Sequence, residues 1–337
     1  MSFMVGIEVT RRCNFRCRHC YVDAGRARAR EATTAEIESL LPVLKGFGTD
    51  VVAWSGGEPL LRPDLEQLTQ AAVRLGMQTG LVSNGYLATA ERMQSLRRAG
   101  LDVAQISLDG STPRKAHRLR QGPEDAFARA SAAVRNSVAA GIQTYVCALF
   151  TPQTAPEVLD MIHVSRDLGA HGLRYTIWTP VGRAEGHGYD EREWASPTVR
   201  RFLDVLGRED SPAFRVLIDC PTGPLPSRPT MRCTAGTHTA YITADGNVYP
   251  CTALMAPAYR VGNWHRTPLG NLLRSPRMRA VHDQRSRLRP AGTCAGCGNW
   301  DGCHGGCPGR TVAVDGSLAR GPLRGAMPAC LVRLHRS

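Results

Sequence analysis

The sequence predicts an α/β protein: a partial (β/α)6 barrel followed by a small, irregular, cysteine-rich domain. Three observations carry that expectation. Strand-like and helix-like segments alternate six times before about residue 206. Four of the helical segments are followed by a glycine (Gly76, Gly100, Gly141 and Gly169), the residue a helix C-cap favours. Seven of the 12 cysteines fall in the last third of the chain, in a Gly/Pro-rich stretch short of apolar residues for a core.

The strands read as Met4–Val9, Val51–Trp54, Gln78–Val82, Val103–Leu108, Gln143–Phe150 and Gly172–Trp178. The helices that follow them read as Thr34–Lys45, Asp64–Leu75, Ala88–Ala99, Ala126–Ala139, Pro156–Leu168 and Pro197–Leu206. Strands that alternate with helices pair in parallel, and six such units give a TIM-like barrel open on one side. Pro212 to Pro229 reads as a linker, so the expected domains are 1–211 and 212–337.

The chain has 337 residues and carries 42 basic against 29 acidic residues, a net charge of +13. Nearly all the basic residues are Arg, with only Lys45 and Lys115 as Lys; high Ala, Gly and Pro content points to codon bias as the reason. The charge favours an anionic partner. No basic low-complexity arm or nucleic-acid motif is present, so nucleic acid is not the expected partner. No signal peptide and no membrane-length apolar run is visible, which leads to the expectation of a cytoplasmic protein without a membrane partner. In that compartment thiols stay reduced, and clustered cysteines mean metal binding or catalysis.

Cys13, Cys17 and Cys20 form a C-x3-C-x2-C triad. Three thiolates can hold three corners of a [4Fe–4S] cube and leave the fourth iron open. A zinc site, with His19 as fourth ligand, is the competing reading. Downstream, Gly56-Gly57-Glu58-Pro59 sits at the C-terminal end of a predicted strand, where α/β folds place ligands. Its glycines let the backbone approach a ligand closely, and Glu58 can accept a hydrogen bond from an ammonium group. The plainer reading is a Gly-Gly turn capped by Pro59 at a helix start.

In the last third, Cys233 precedes a predicted hairpin with an Asp245-Gly246 turn that ends at Cys251. Then come Cys294-x2-Cys297-x5-Cys303-x3-Cys307 and finally Cys330. Zinc ribbons would account for the paired spacings but not for the odd count. Gly305, Gly306 and Gly309 give the backbone room to wrap around a cluster.

The triad and the GGEP run together resemble the radical S-adenosylmethionine (SAM) superfamily. The seven-cysteine tail, with Gly246 in place, resembles its SPASM subfamily. The resemblance implies that Cys13, Cys17 and Cys20 hold the cluster that binds SAM, with Gly56, Gly57, Glu58 and Pro59 at its methionine amino group. Reductive cleavage of SAM would then yield a 5′-deoxyadenosyl radical that takes hydrogen from substrate. It implies further SAM contacts from Ser83 and Asn84 after the third strand, and from Ser107 and Asp109 after the fourth. Arg120 resembles the arginine that pairs with the SAM carboxylate, and Tyr21 is placed to pack on the adenine. The same resemblance assigns Cys233, Cys251 and Cys307 to one auxiliary [4Fe–4S] cluster. It assigns Cys294, Cys297, Cys303 and Cys330 to a second, three clusters in all. Cys220 either completes the first auxiliary cluster, leaves its iron open, or is a free thiol. An external reductant such as flavodoxin or ferredoxin is implied.

Two residues bear on reaction type. Strand alternation puts Tyr145, Cys147 and Leu149 on one face, so the Cys147 thiol can return a hydrogen atom to a substrate radical if that face lines the barrel; a small buried apolar residue is the plainer role. Cys220 is the competing donor. The chain reaches its first strand within three residues, which leads to the expectation of a small polar, anionic metabolite derived from a sugar, nucleoside or amino acid. Epimerisation, dehydrogenation and decarboxylation are the candidate outcomes. The alternatives are maturation of a ribosomally made peptide and a non-catalytic zinc- or iron–sulfur-binding scaffold.

Overall fold

The computed structural model describes residues 3–27, 30–188, 191–194, 196–218, 233–290, 294–298, 300–316 and 318. Seven strands run parallel in chain order: β1 (Phe3–Thr10), β2 (Thr49–Gly56), β3 (Gln78–Ser83), β4 (Val103–Ser107), β5 (Gln143–Phe150), β6 (Gly172–Ile177) and β7 (Arg215–Ile218). Three short strands, β8 (Thr239–Ile242), β9 (Asn247–Tyr249) and β10 (Gly262–Asn263), join the same sheet beside β1.

The helices are α1 (Thr34–Phe47), α2 (Leu65–Arg74), α3 (Ala90–Ala99), α4 (Pro113–His117), α5 (Ala126–Ala139), α6 (Val158–Asp167), α7 (Glu191–Trp194) and α8 (Pro197–Glu209). Helix α1 starts on a capping box, in which Thr33 accepts from the Glu36 amide and Glu36 accepts from the Thr33 amide. Helix α3 starts two residues later than its apolar pattern implies, because the Thr89 hydroxyl accepts from the Arg92 amide and sets the cap there. The glycines expected after four helices all take left-handed φ values, from 72° to 102°.

One strand was not expected. β7 lies inside the stretch read as a linker. Pro212 precedes the ladder, so its missing N–H costs nothing there. The Asp210 carboxylate accepts from the Val216 amide at 2.8 Å, and the Arg215 amide donates to the His171 carbonyl at 3.0 Å. Val216 and Ile218 then face the core.

The hairpin predicted around Gly246 forms, but it does not stand apart from the barrel. β8 pairs in parallel with β1 in the register Met4↔Thr239 through Ile7↔Ile242. The sheet is therefore continuous across the expected domain boundary.

Alternation along the strands separates two faces. Val5, Ile7, Val52, Trp54, Leu81, Ile106, Val146 and Leu173 are fully buried in one apolar core. Gly6, Ala53, Gly80, Gln105, Cys147 and Arg174 lie on the opposite, partly open face, the barrel lumen.

Beyond the hairpin come α9 (Leu269–Arg274), α10 (Pro276–Ser286), α11 (Trp300–Cys303) and α12 (Pro308–Asp315). Leu269, Leu272, Leu273 and Met278 extend the main core. Among the described residues, the separate core of this region holds Ala235, Leu254, Val281 and Leu318 as buried apolar residues, with Cys233, Cys251, Tyr259 and Val312 packed against them. Among the described residues no helix is long and apolar enough to cross a membrane.

Candidate active site

The loop carrying the triad leaves the top of β1 and is tied at its base. The buried Glu8 carboxylate accepts from the Arg11 guanidinium, which also donates to the Val22 carbonyl on the return arm. Glu31 accepts from the Thr10 hydroxyl at 2.9 Å and the Arg11 amide at 2.7 Å. Further out, the Arg16 and Arg18 amides donate to the carbonyls of Gln121 and Leu119. That pairing holds Arg120 against the loop.

The thiols accept hydrogen bonds of the kind cluster sulfurs take. Cys13 Sγ accepts from the Phe15 amide at 3.4 Å, and Cys20 Sγ from the Ala24 amide at 3.2 Å. Arg120 reaches Cys17 Sγ at 3.8 Å. The thiols interact electrostatically with one another, and burial pushes Cys13 up to about 12. Among the described residues no three His, Cys, Asp or Glu groups are arranged around a single metal ion. Three thiolates on one loop can each hold a separate iron of a cube. His19 is engaged elsewhere: its Nε2 lies 3.3 Å from Asp109 Oδ2, and burial drives the imidazole down to about 4, so it is neutral.

The Gly56–Pro59 run packs under this loop. The Gly57 amide donates to the Thr10 carbonyl and the Glu58 amide to the Arg12 carbonyl, both at 2.8 Å. A Cβ on Gly57 would overlap the carbonyl oxygens of Arg11 and Arg12. The close approach that the glycine permits here is therefore to the cysteine loop itself. Gly57→Ala is expected to destabilise the protein by about 1–3 kcal/mol, the usual cost of overpacking. Thermal melting would measure it, with iron content reporting whether the triad loop is displaced.

Glu58 is fully buried. Its Oε1 accepts from Ser83 Oγ at 2.7 Å and the Leu60 amide at 3.0 Å, and its Oε2 accepts from the Asn84 amide at 2.8 Å. A carboxylate offers about four acceptor sites. Three are taken, which leaves one acceptor site on Oε2. Burial raises the carboxyl above its ordinary range while these bonds oppose the rise. Pro59 opens a short 3-10 turn to Leu61. Asn84 in turn donates to Asn14 at 2.8 Å, joining the β3 end to the loop.

At the β4 end, Asp109 Oδ1 accepts from the Leu149 amide at 2.6 Å. Its Oδ2 pairs with the Arg120 guanidinium, without hydrogen-bond alignment. Sequence reasoning treated these two as separate SAM contacts, whereas they are ion-paired to each other. A pocket enclosing about 350 Å³, its open mouth included, is lined by Phe15, Asn84, Ser107, His117, Arg120 and Phe127, among others. Tyr21 is not among its lining residues. Its hydroxyl lies 3.0 Å from Ser55 Oγ and 3.3 Å from the Tyr241 hydroxyl, linking the triad loop to β2 and β8. Cys147 lies on the lumen face as alternation required, with its Sγ 3.6 Å from Gln105 Oε1.

In the C-terminal region, Cys294, Cys303 and Cys307 are buried, and Cys233, Cys251 and Cys297 are half-buried. Cys251 interacts electrostatically with Cys307 and Cys233, and burial pushes its thiol up to about 12. Two arginines that sequence reasoning missed are buried here. Arg285 donates to the Cys303 carbonyl at 2.6 Å and interacts with the Cys233 thiol. Among the described residues its Nη1, and Nε and Nη2 of Arg310, have no hydrogen-bond partner. Buried donors beside thiols fit clusters whose sulfides accept from them. Cys220 and Cys330 lie outside the described residues.

Comparison with known proteins supplies the family. The radical SAM superfamily profile matches residues 7–164, and that of the SPASM iron-sulfur cluster-binding domain matches residues 233–298. The AdoMet-dependent heme synthase of Oleidesulfovibrio alaskensis is 26% identical, over 95% of this chain and 86% of that protein. The mycofactocin maturase MftC of Mycobacterium ulcerans is 28% identical, over 89% of this chain and 81% of its own. The PqqA peptide cyclase of Rhizobium meliloti is 30% identical, over 73% and 66% respectively. The fold is shared with Streptococcus suis SuiB in its complex with precursor peptide SuiA, at a TM-score of 0.71 and 17% identity, covering 93% of this chain and 73% of SuiB. With the N-terminal triad over a parallel barrel and the cysteine-rich tail matched to their two profiles, the chain belongs to the radical SAM superfamily and carries a SPASM domain, and its cofactors are SAM and [4Fe–4S] clusters.

Proposed function

We propose that this radical SAM enzyme is a peptide maturase, which modifies a residue of a ribosomally made peptide inside the barrel lumen. The observation that carries the reading is the similarity to the PqqA peptide cyclase and the mycofactocin maturase over most of this chain. It replaces the expectation of a small metabolite as the main reading. When bound, the reduced cluster supplies the electron that cleaves SAM to methionine and a 5′-deoxyadenosyl radical.

The chain's own residues do the positioning. Cys13, Cys17 and Cys20 would hold the cluster, and the remaining acceptor site on Glu58 would take the SAM ammonium group. Arg120, backed by Asp109, and Ser107 would supply partners for the carboxylate and ribose. The lumen then offers the peptide a polar wall that includes Gln105 and Cys147. A one-electron donor such as a flavodoxin or ferredoxin is required.

A second reading has its own support: the similarity to heme synthases spans 95% of this chain, and a net charge of +13 suits an anionic substrate. One experiment separates the two. The reconstituted protein is incubated anaerobically with SAM and reductant, and with either short peptides encoded beside its gene or a carboxylate-bearing porphyrin. Stimulated 5′-deoxyadenosine with a mass change in a peptide supports maturation; the same response to the porphyrin alone overturns it. Run in deuterated water, the assay also tests Cys147. Solvent deuterium in the product carbon, lost in Cys147→Ala while SAM cleavage persists, would identify Cys147 as the hydrogen donor. Full activity without it would return Cys147 to a packing role.

A further inference from the structure

The loop that follows β6 grips the triad loop from across the barrel mouth. The Arg183 amide donates to the Cys20 carbonyl at 2.9 Å. Its guanidinium donates to the Cys17 carbonyl at 2.7 Å, to the Ala24 carbonyl, and to Asp23 Oδ1 at 3.0 Å. Gly182, with φ of 62°, lies so close that a Cβ there would overlap the carbonyls of Cys20 and Tyr21. These bonds span about 160 residues of sequence and hold the backbone on both sides of two triad cysteines. At its other end the loop is anchored by Trp178 Nε1, which donates to the His187 carbonyl at 3.1 Å.

We propose that Arg183 is a positioning residue for the triad cluster: it fixes the cysteine loop and places a permanent positive charge beside it that eases the cluster's reduction. The proposal rests on the reading that Cys13, Cys17 and Cys20 hold that cluster. A guanidinium stays charged at any working pH. The Arg183 side chain is 19% exposed, so its field on the loop is only partly screened. Its counter-ion, Asp23, is 66% exposed and offsets it weakly. The potential of such a cluster follows net charge, hydrogen bonding and solvent exposure. An added electron is therefore stabilised by Arg183 and opposed, to a lesser degree, by Asp23.

The test is potentiometric titration of the reconstituted full chain, followed by electron paramagnetic resonance. The signal that changes on adding SAM reports the triad cluster, and the remaining signals serve as internal controls. Arg183→Gln is expected to make one-electron reduction of that cluster about tenfold less favourable, about 59 mV. Asp23→Asn is expected to move it by less and in the opposite direction. A purely structural role would loosen the loop in both variants and move both the same way. Shifts in a common direction, or an unchanged potential in Arg183→Gln, would overturn the proposal. If Arg183→Gln does not fold, Arg183→Lys replaces it: Lys keeps the charge but loses the fork on two carbonyls, so the potential is expected to stay close to that of the unmodified chain, and a drop of about 59 mV or more would overturn the proposal. Absence of any SAM-responsive signal in the unmodified chain would refute the triad assignment instead, a result separable from these.

Discussion

Replacing Cys13, Cys17 and Cys20 together with alanine is expected to remove one cluster's iron, about four atoms per chain, and all 5′-deoxyadenosine formation. The neighbouring groups cannot take over the thiolates' task. Glu58 spends three of its acceptor sites on Ser83, Leu60 and Asn84. Asp109 is paired with Arg120, and His19 is neutral and turned to Asp109. The loop itself should survive, because its anchors are independent of the thiols: Glu8–Arg11 at the base, Glu31 beside it and Arg183 across the mouth. Loss of iron would thus reflect lost ligands rather than a lost fold. Iron and sulfide analysis with chromatographic assay of 5′-deoxyadenosine measures both effects. SAM cleavage retained by the triple variant would sink the assignment.

Much of this site was legible because its parts are local. The triad's spacing, the GGEP run at a strand end and the tail cysteines are each contained in short segments. What those segments touch was not legible. Gly56-Gly57 suggested close approach to a ligand, whereas the approach that geometry demands is to the carbonyl of Thr10 at Gly56 and to those of Arg11 and Arg12 at Gly57. Tyr21 suggested an adenine platform, whereas its hydroxyl bridges Ser55 and Tyr241. Arg183 carries no local signal, since its partners lie about 160 residues earlier. The fold divides in the same way. Six βα units were visible from periodicity. β7 was hidden by Pro212 and its own four-residue length, and nothing in residues 239–242 announces a parallel pairing with β1. The expectation of a small metabolite leaned on charge and on the short lead into β1, neither of which describes what the lumen accepts.

The second large effect is expected in the C-terminal region, where Cys303→Ala or Cys330→Ala should sharply lower soluble yield and protease resistance beyond about residue 275. Among the described residues, the separate core there contains four buried apolar residues, none larger than leucine. Burying one such side chain contributes about 1.5–3 kcal/mol at most. Ordering each residue costs about 1–2 kcal/mol of backbone entropy. Among the described residues, a core of that size cannot by itself hold α11 and α12 in place, whereas α10 also reaches the main core through Met278. The cysteines are distributed as a metal-held region requires: Cys233 and Cys251 flank the hairpin, Cys294 and Cys297 sit on a tight turn, Cys303 ends α11 and Cys307 caps the start of α12. Cluster ligation would close these segments on one another, and binding free energy would become folding free energy. The hairpin and α9 should be less sensitive, because β8 pairs with β1 and Leu269, Leu272 and Leu273 pack in the main core. Limited proteolysis of holo and chelator-stripped protein distinguishes the regions. Cleavage is expected first beyond about residue 275 in the stripped form, with the barrel intact. Equal resistance of the two forms would show that apolar packing, not metal, holds this region together.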